Sequence, residues 1–129
     1  MNQNNILIAK FMGFTVKEWG QAYHIYNPSG LGVIEASGWT EEEAWRKFMQ
    51  NCSYNYDWNS LMSVVNKLAV EQNLIIKFYW CNKSAAYIAY IDRTDEIIIR
   101  GFIDEKSQFK CVYNMIVECI KFVNKHEAK

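Results

Sequence analysis

Apolar positions change their spacing several times along the chain, and each change marks an element. Asn5 to Met12 reads as a short helix that Gly13 stops. Phe14 to Trp19 and Tyr23 to Tyr26 are rich in aromatic and β-branched residues and are separated by Gly20. Pro28-Ser29-Gly30-Leu31-Gly32 is a turn, and Val33 to Ala36 a further short strand. The period then lengthens. Ala44, Trp45, Phe48 and Met49 make one stripe of a helix, and Trp58, Leu61, Met62, Val65, Leu68 and Ala69 make one face of a longer one.

Three more β-rich runs follow, Leu74 to Cys81, Ala85 to Ile91 and Glu96 to Phe102. Their links, Asn82-Lys83 and Asp92 to Asp95, are too short for anything but antiparallel pairing. A last helix runs from about Lys106 to Asn124, with Phe109, Val112, Tyr113, Ile116, Ile120 and Val123 facing inward. Two helix starts are written plainly. Thr40-Glu41-Glu42-Glu43 is a capping box, in which Thr40 meets the Glu43 amide and Glu43 reaches back. Asp57 is an N-cap for the helix opening at Trp58.

The expected fold is therefore α+β. An antiparallel sheet carries two long helices, about 58–72 and 106–124, and a shorter N-terminal βββα unit precedes it. With 129 residues and one proline, no linker stands out, and the economical reading is a single α+β domain over 1–129. The segment 51–56 is the nearest thing to a hinge. The order α-β-β-β-α occurs twice, without alignable residue identity between the halves.

Composition narrows the function classes. Half the residues are hydrophobic and 22% charged, which excludes a wholly disordered chain. Fourteen basic residues balance fourteen acidic ones, which argues against a coat on nucleic acid or on an anionic membrane. No apolar run approaches the length of a membrane span, and Met1 to Asn5 carries no positive charge of the kind that opens a secretion signal. Cys52, Cys81, Cys111 and Cys119 contain no C-x-x-C pair and are expected as reduced, buried, small apolar side chains in the cytoplasm.

Catalytic and metal signatures are missing from the text. There is no H-E-x-x-H, G-x-S-x-G, Walker loop or G-x-G-x-x-G, so no catalytic residue, metal or cofactor is expected, and the chain is not expected to be an enzyme. His24 lies in a strand and is expected to be structural. Arg100-Gly101-Phe102 starts like an RNA-recognition signature but Ile103 and Asp104 break it.

Three blocks carry a resemblance. They are Leu7 to Phe14, Trp58 to Leu68 (W-x-x-L-M-x-V-V-x-K-L) and Phe109 to Phe122, which ends V-Y-N-M-I-V-E-C-I-K-F. In this order they resemble small proteins encoded by phages and prophages of Bacteroidetes and, more distantly, the phage α-β-α sandwich domain. Those proteins usually have a proline where Ser63 stands and Y-H-x-S-W where this chain reads Ser53-Tyr54-Asn55-Tyr56-Asp57. The resemblance implies a mobile-element origin, a host-cell cytoplasmic location and no particular activity. A second similarity, of Pro28, Gly38, Thr40 and Glu42-Glu43-Ala44, is to HicB-type antitoxin domains.

One residue in six is aromatic, and that excess supplies the candidate site. Alternation puts Phe78, Trp80, Tyr87 and Ile91 on the helix-covered face, and Lys77, Tyr79, Tyr90 and Arg100 on the other. With Trp19, Trp39, Tyr54 and Tyr56, which no periodicity requires to be buried, they form the candidate ligand-binding set. The function expected is binding: a phage accessory protein, acting in counter-defence on a host protein or on a small anionic nucleotide. The alternatives are a homo-oligomeric structural or assembly protein, or an antitoxin-type module. Neither nucleic acid nor membrane is expected as a partner.

Overall fold

The computed structural model describes residues 2–29, 32–52, 54, 57–81, 83, 86–93, 96–97, 102–104 and 107–127, with side chains for all of these except 2, 78, 86–93, 96–97, 102–104, 126 and 127. The fold is mixed α+β. Contacts gather the chain into two compact units, Met1–Ser53 and Tyr54–Lys129, whose boundary falls inside the hinge segment 51–56.

The first unit runs α1 (Asn2–Phe11), β1 (Thr15–Trp19), β2 (Ala22–Tyr26), β3 (Ile34–Gly38) and α2 (Glu41–Met49). Its sheet is an antiparallel meander in the order β1-β2-β3. Gly20 and Gln21 join β1 to β2 with φ of 62° and 68°, the two-residue turn that matches strand twist, and Trp19 therefore pairs with Ala22. Ile25 is fully buried on the face that α2 covers, between Val16 and Ala36 in register. Helix α1 packs on α2, where Ile8, Ala9, Ala44 and Trp45 form the buried centre.

Helix α2 begins as its sequence requires, with one adjustment. Thr40 Oγ1 accepts from the Glu43 amide at 3.0 Å, but the Glu43 carboxylate accepts from the Trp39 amide at 3.3 Å, one residue earlier than the standard box. Gly38 lets the helix sit against β3. A Cβ there would lie 2.6 Å from the Ala44 nitrogen and 2.9 Å from the Glu43 carbonyl carbon, both backbone atoms that cannot swing away.

The second unit runs α3 (Trp58–Gln72), β4 (Ile75–Cys81), β5 (Ala86–Arg93), β6 (Glu96–Ile97), β7 (Phe102–Asp104) and α4 (Gln108–Glu127). β5 lies between β4 on one side and β6 and β7 on the other, all antiparallel. Asp57 Oδ2 accepts from both the amide and the hydroxyl of Ser60 at 2.9 Å, which opens α3 at Trp58. Asn73, in the left-handed region at φ 56°, closes it. Ser107 caps α4 through its hydroxyl and the Lys110 amide at 3.1 Å, so the helix starts two residues after Lys106, which lies outside the described residues.

Packing departs from the expected stripes at three places. The buried line of α3 is Leu61, Val64 and Leu68, whereas Trp58 and Met62 are 38% and 43% exposed, so the face is turned from the expected one. Val64 was absent from that stripe because its neighbour Val65 fits the same spacing. Helix α4 is buried far more broadly than one stripe, with Cys111, Met115, Val117 and Cys119 joining Val112, Tyr113, Ile116, Ile120 and Val123. It packs on α3 and on β4, β5 and β7, so more than one side meets protein. Trp80 is the third departure. Its face of β4 is covered at Leu74 and Ile76, but Trp80, at the far end, is 47% exposed. The side chains of Phe78, Tyr87 and Ile91 lie outside the described set.

Gly38→Ala is expected to lower stability by about 1–3 kcal/mol, because the added methyl forces backbone to move. Urea unfolding of the full chain checks this, and an unchanged midpoint contradicts the close approach.

Candidate functional site

Burial of Ile25 decides what the other face of the first sheet displays. Side chains alternate along a strand, so inward Val16, Ile25 and Ala36 put their neighbours outward. Three rungs result. Trp19 pairs with Ala22, and Trp39 follows the end of β3 in the bend that leads to α2. Lys17 pairs with His24, and His24 with Ser37. Thr15 pairs with Tyr26, and Tyr26 with Ile34 across a register shift between Ile25 and Tyr26 that leaves Glu35 as the extra residue of β3.

The aromatic side chains on this face form a row. The Trp19 and His24 ring centres are 6.0 Å apart, and those of His24 and Tyr26 are 6.2 Å apart. Trp19 is 71% exposed, Trp39 73% and Ile34 46%, so the row ends in open surface. His24 is held at both nitrogens, Nδ1 by the Ser37 hydroxyl at 2.6 Å and Nε2 by the Trp19 carbonyl oxygen at 3.1 Å. In the neutral ring these bonds require Nε2–H to donate to the carbonyl and Ser37 to donate to Nδ1. The imidazole is thereby fixed as the middle of the row.

Charge on the face is simple. Lys17 is exposed and makes no ion pair among the described residues. Nearby carboxylates are engaged elsewhere: Glu35 accepts from the Asn27 amide at 2.8 Å and Glu43 pairs with Lys47 at 3.3 Å. Glu18 accepts from the Tyr23 hydroxyl. Its charge, followed by burial, that hydrogen bond and Glu41, holds the Tyr23 phenol above its ordinary value of 10.0.

The candidate set named from the sequence divides. Trp19 and Trp39 come to one end of the first sheet. Lys77 and Tyr79 belong to the second unit, both exposed on β4, and Lys77 pairs with Tyr90 through the backbone. Tyr54 is half-buried rather than exposed, because the chain turns there ahead of α3. Arg100 and Tyr56 lie outside the described residues. Missed from the sequence were Lys17, His24, Tyr26 and Ser37. The signal was present in the two-residue turn Gly20-Gln21, which places Trp19 opposite Ala22 and therefore Lys17 opposite His24.

Other features have different characters. A groove of about 510 Å³ between α1 and the start of α2 is lined by Gln3, Ile6, Lys10, Glu41, Glu42 and Trp45. Lys10 Nζ already lies 5.6 Å from the Trp45 ring centre, and the two glutamates outnumber this one lysine along the walls. Trp45 Nε1 is buried with no acceptor among the described residues. Burial, and to a lesser extent Glu118, pushes the Cys119 thiol up to about 12, far from the reactive thiolate range. Among the described residues no group of His, Cys, Asp and Glu gathers to hold a metal, and no helix is long and apolar enough to cross a membrane.

Set against known protein families, curated proteins and solved structures, the chain matches none.

The raised Tyr23 phenol has a pH consequence. The unfolded chain loses this proton near pH 10.0, before the folded one does, so stability falls as pH rises through that window. Below it the contribution is complete. Unfolding midpoints measured from pH 9 to about 11 are expected to fall more steeply for the native chain than for Tyr23→Phe. Parallel curves contradict the Glu18–Tyr23 pairing.

Proposed function

We propose that the chain is a binding protein whose capture surface is the outer face of the first sheet, and that the bound group is a flat, unsaturated ring. The observation that carries this reading is the contiguous Trp19–His24–Tyr26 row. Stacking of a nucleobase on such a ring contributes about 1–3 kcal/mol, and it needs an exposed π-face more than a deep cavity. Exposed aromatic surface of this extent on a sheet is costly to keep for folding alone.

In biological terms the reading is of a phage-type accessory protein in the host cytoplasm, acting in counter-defence by sequestering a nucleotide-like signal. The resemblance of Leu7–Phe14, Trp58–Leu68 and Phe109–Phe122 to phage proteins supplies the setting. The HicB-like residues are accounted for by folding. Pro28 packs where a Gly13 Cβ would lie, Gly38 admits α2, and Thr40 and Glu43 cap it. A second reading, self-association, is favoured by the 46–50% exposure of Ile75, Trp80 and Tyr79 on β4. Sedimentation velocity of the full chain separates the two: a dimer across a hundredfold concentration range supports self-association.

Titration of the full chain with adenosine, an uncharged planar ring, followed by tryptophan fluorescence, tests the capture surface. Saturable binding is expected with a Kd of roughly 0.1–1 mM, weakened about tenfold or more by Trp19→Ala. Equal binding by the variant, or none by the native chain, overturns the reading.

A further inference from the structure

We infer that the ligand is a mononucleotide-sized aromatic anion, its ring held at the Trp19–His24 end of the aromatic row and its anionic group over Lys17. This rests on the reading of the sheet face as a ring-binding surface and adds the ligand's charge, size and direction.

The rungs differ in chemistry. At the first, the exposed indole of Trp19 is paired with the small Ala22. At the second rung Lys17 brings an ammonium group, beside His24 and Ser37. The rungs are about 6.7 Å apart, which a ring and an anionic substituent joined by a short polar spacer bridge without distortion.

Charge complementarity gives the sign of that substituent. Lys17 is exposed, and of the acids that border this sheet Glu35, Glu18 and Glu43 are committed to Asn27, Tyr23 and Lys47. Both ring nitrogens of His24 are already engaged, by the Ser37 hydroxyl and the Trp19 carbonyl, so recognition of the anion falls to the Lys17 ammonium. One cation also bounds the size. A nucleic acid strand brings a phosphate for every base, and its affinity grows with the number of phosphates neutralised. The face has rings for two or three bases and a single lysine, which fits one base with one phosphate.

Adenosine 5′-monophosphate (AMP) is the probe, with adenosine, ribose 5-phosphate and an eight-residue adenine oligonucleotide as controls, all titrated into the full chain by calorimetry at one salt concentration. AMP is expected to bind about tenfold or more tighter than adenosine, as a charge-assisted contact warrants. Lys17→Gln is expected to abolish that preference, and Lys17 is exposed, so the variant folds as the native chain does. Equal binding of AMP and adenosine by the native chain overturns this inference and leaves ring capture standing. An AMP preference that survives Lys17→Gln overturns the assignment of the anion to Lys17. Ribose 5-phosphate binding as tightly as AMP, or binding by none of the probes, overturns both. An oligonucleotide that binds about a hundredfold tighter than AMP replaces the mononucleotide with a strand.

Discussion

The alternation of side chains along a β-strand, fixed on one side by the burial of Ile25, is the constraint from which the first unit follows. A one-residue slip in register turns every side chain over, so a strand with one buried residue has committed all its neighbours. Ile25 meets α2 between Val16 and Ala36. Tyr26, His24, Lys17 and Trp19 are then displayed on the opposite side. The site is a consequence of the core and needs no separate folding device.

That constraint holds because the elements around it are tightly specified. The Gly20-Gln21 turn permits only the register in which Trp19 faces Ala22. Gly38 allows α2 to reach the sheet, and Thr40 and Glu43 set where the helix begins. Loss of any of these loosens the helix-covered face, and the outer rungs lose alignment with it. His24 adds a local lock, since its bonds to Ser37 on β3 and to the Trp19 carbonyl on β1 tie three strands together from the outer side. A ring acting as both rivet and stacking surface leaves little freedom to rearrange on binding, which suits capture of a flat molecule.

Helix limits were the most legible part of the sequence where a cap marks them. Asp57 and Asn73 bracket α3 at Trp58–Gln72, and Gly13 follows the end of α1. Which side of α3 is inward was less legible, because adjacent Val64 and Val65 satisfy the same spacing and tertiary packing chooses between them. α4 hides its face in another way: it has apolar side chains on most sides, and several surfaces bury them. The aromatic excess pointed to Trp19 and Trp39 but not to the cluster that Trp19 joins. Periodicity within one strand cannot show which residues lie across a turn. Pairing through Gly20-Gln21 does show it, and that step brings in Lys17, His24 and Tyr26.

Two-dimensional ¹H–¹⁵N NMR of the full chain, resolving the five indole N–H signals, tests the central claim most directly. On addition of AMP, the indole of Trp19 is expected to shift in a saturable way, while those of Trp45, Trp58 and Trp80 stay in place. Saturable shifts at Trp80 or Trp58, with Trp19 unmoved, would contradict the account and place binding on the second unit.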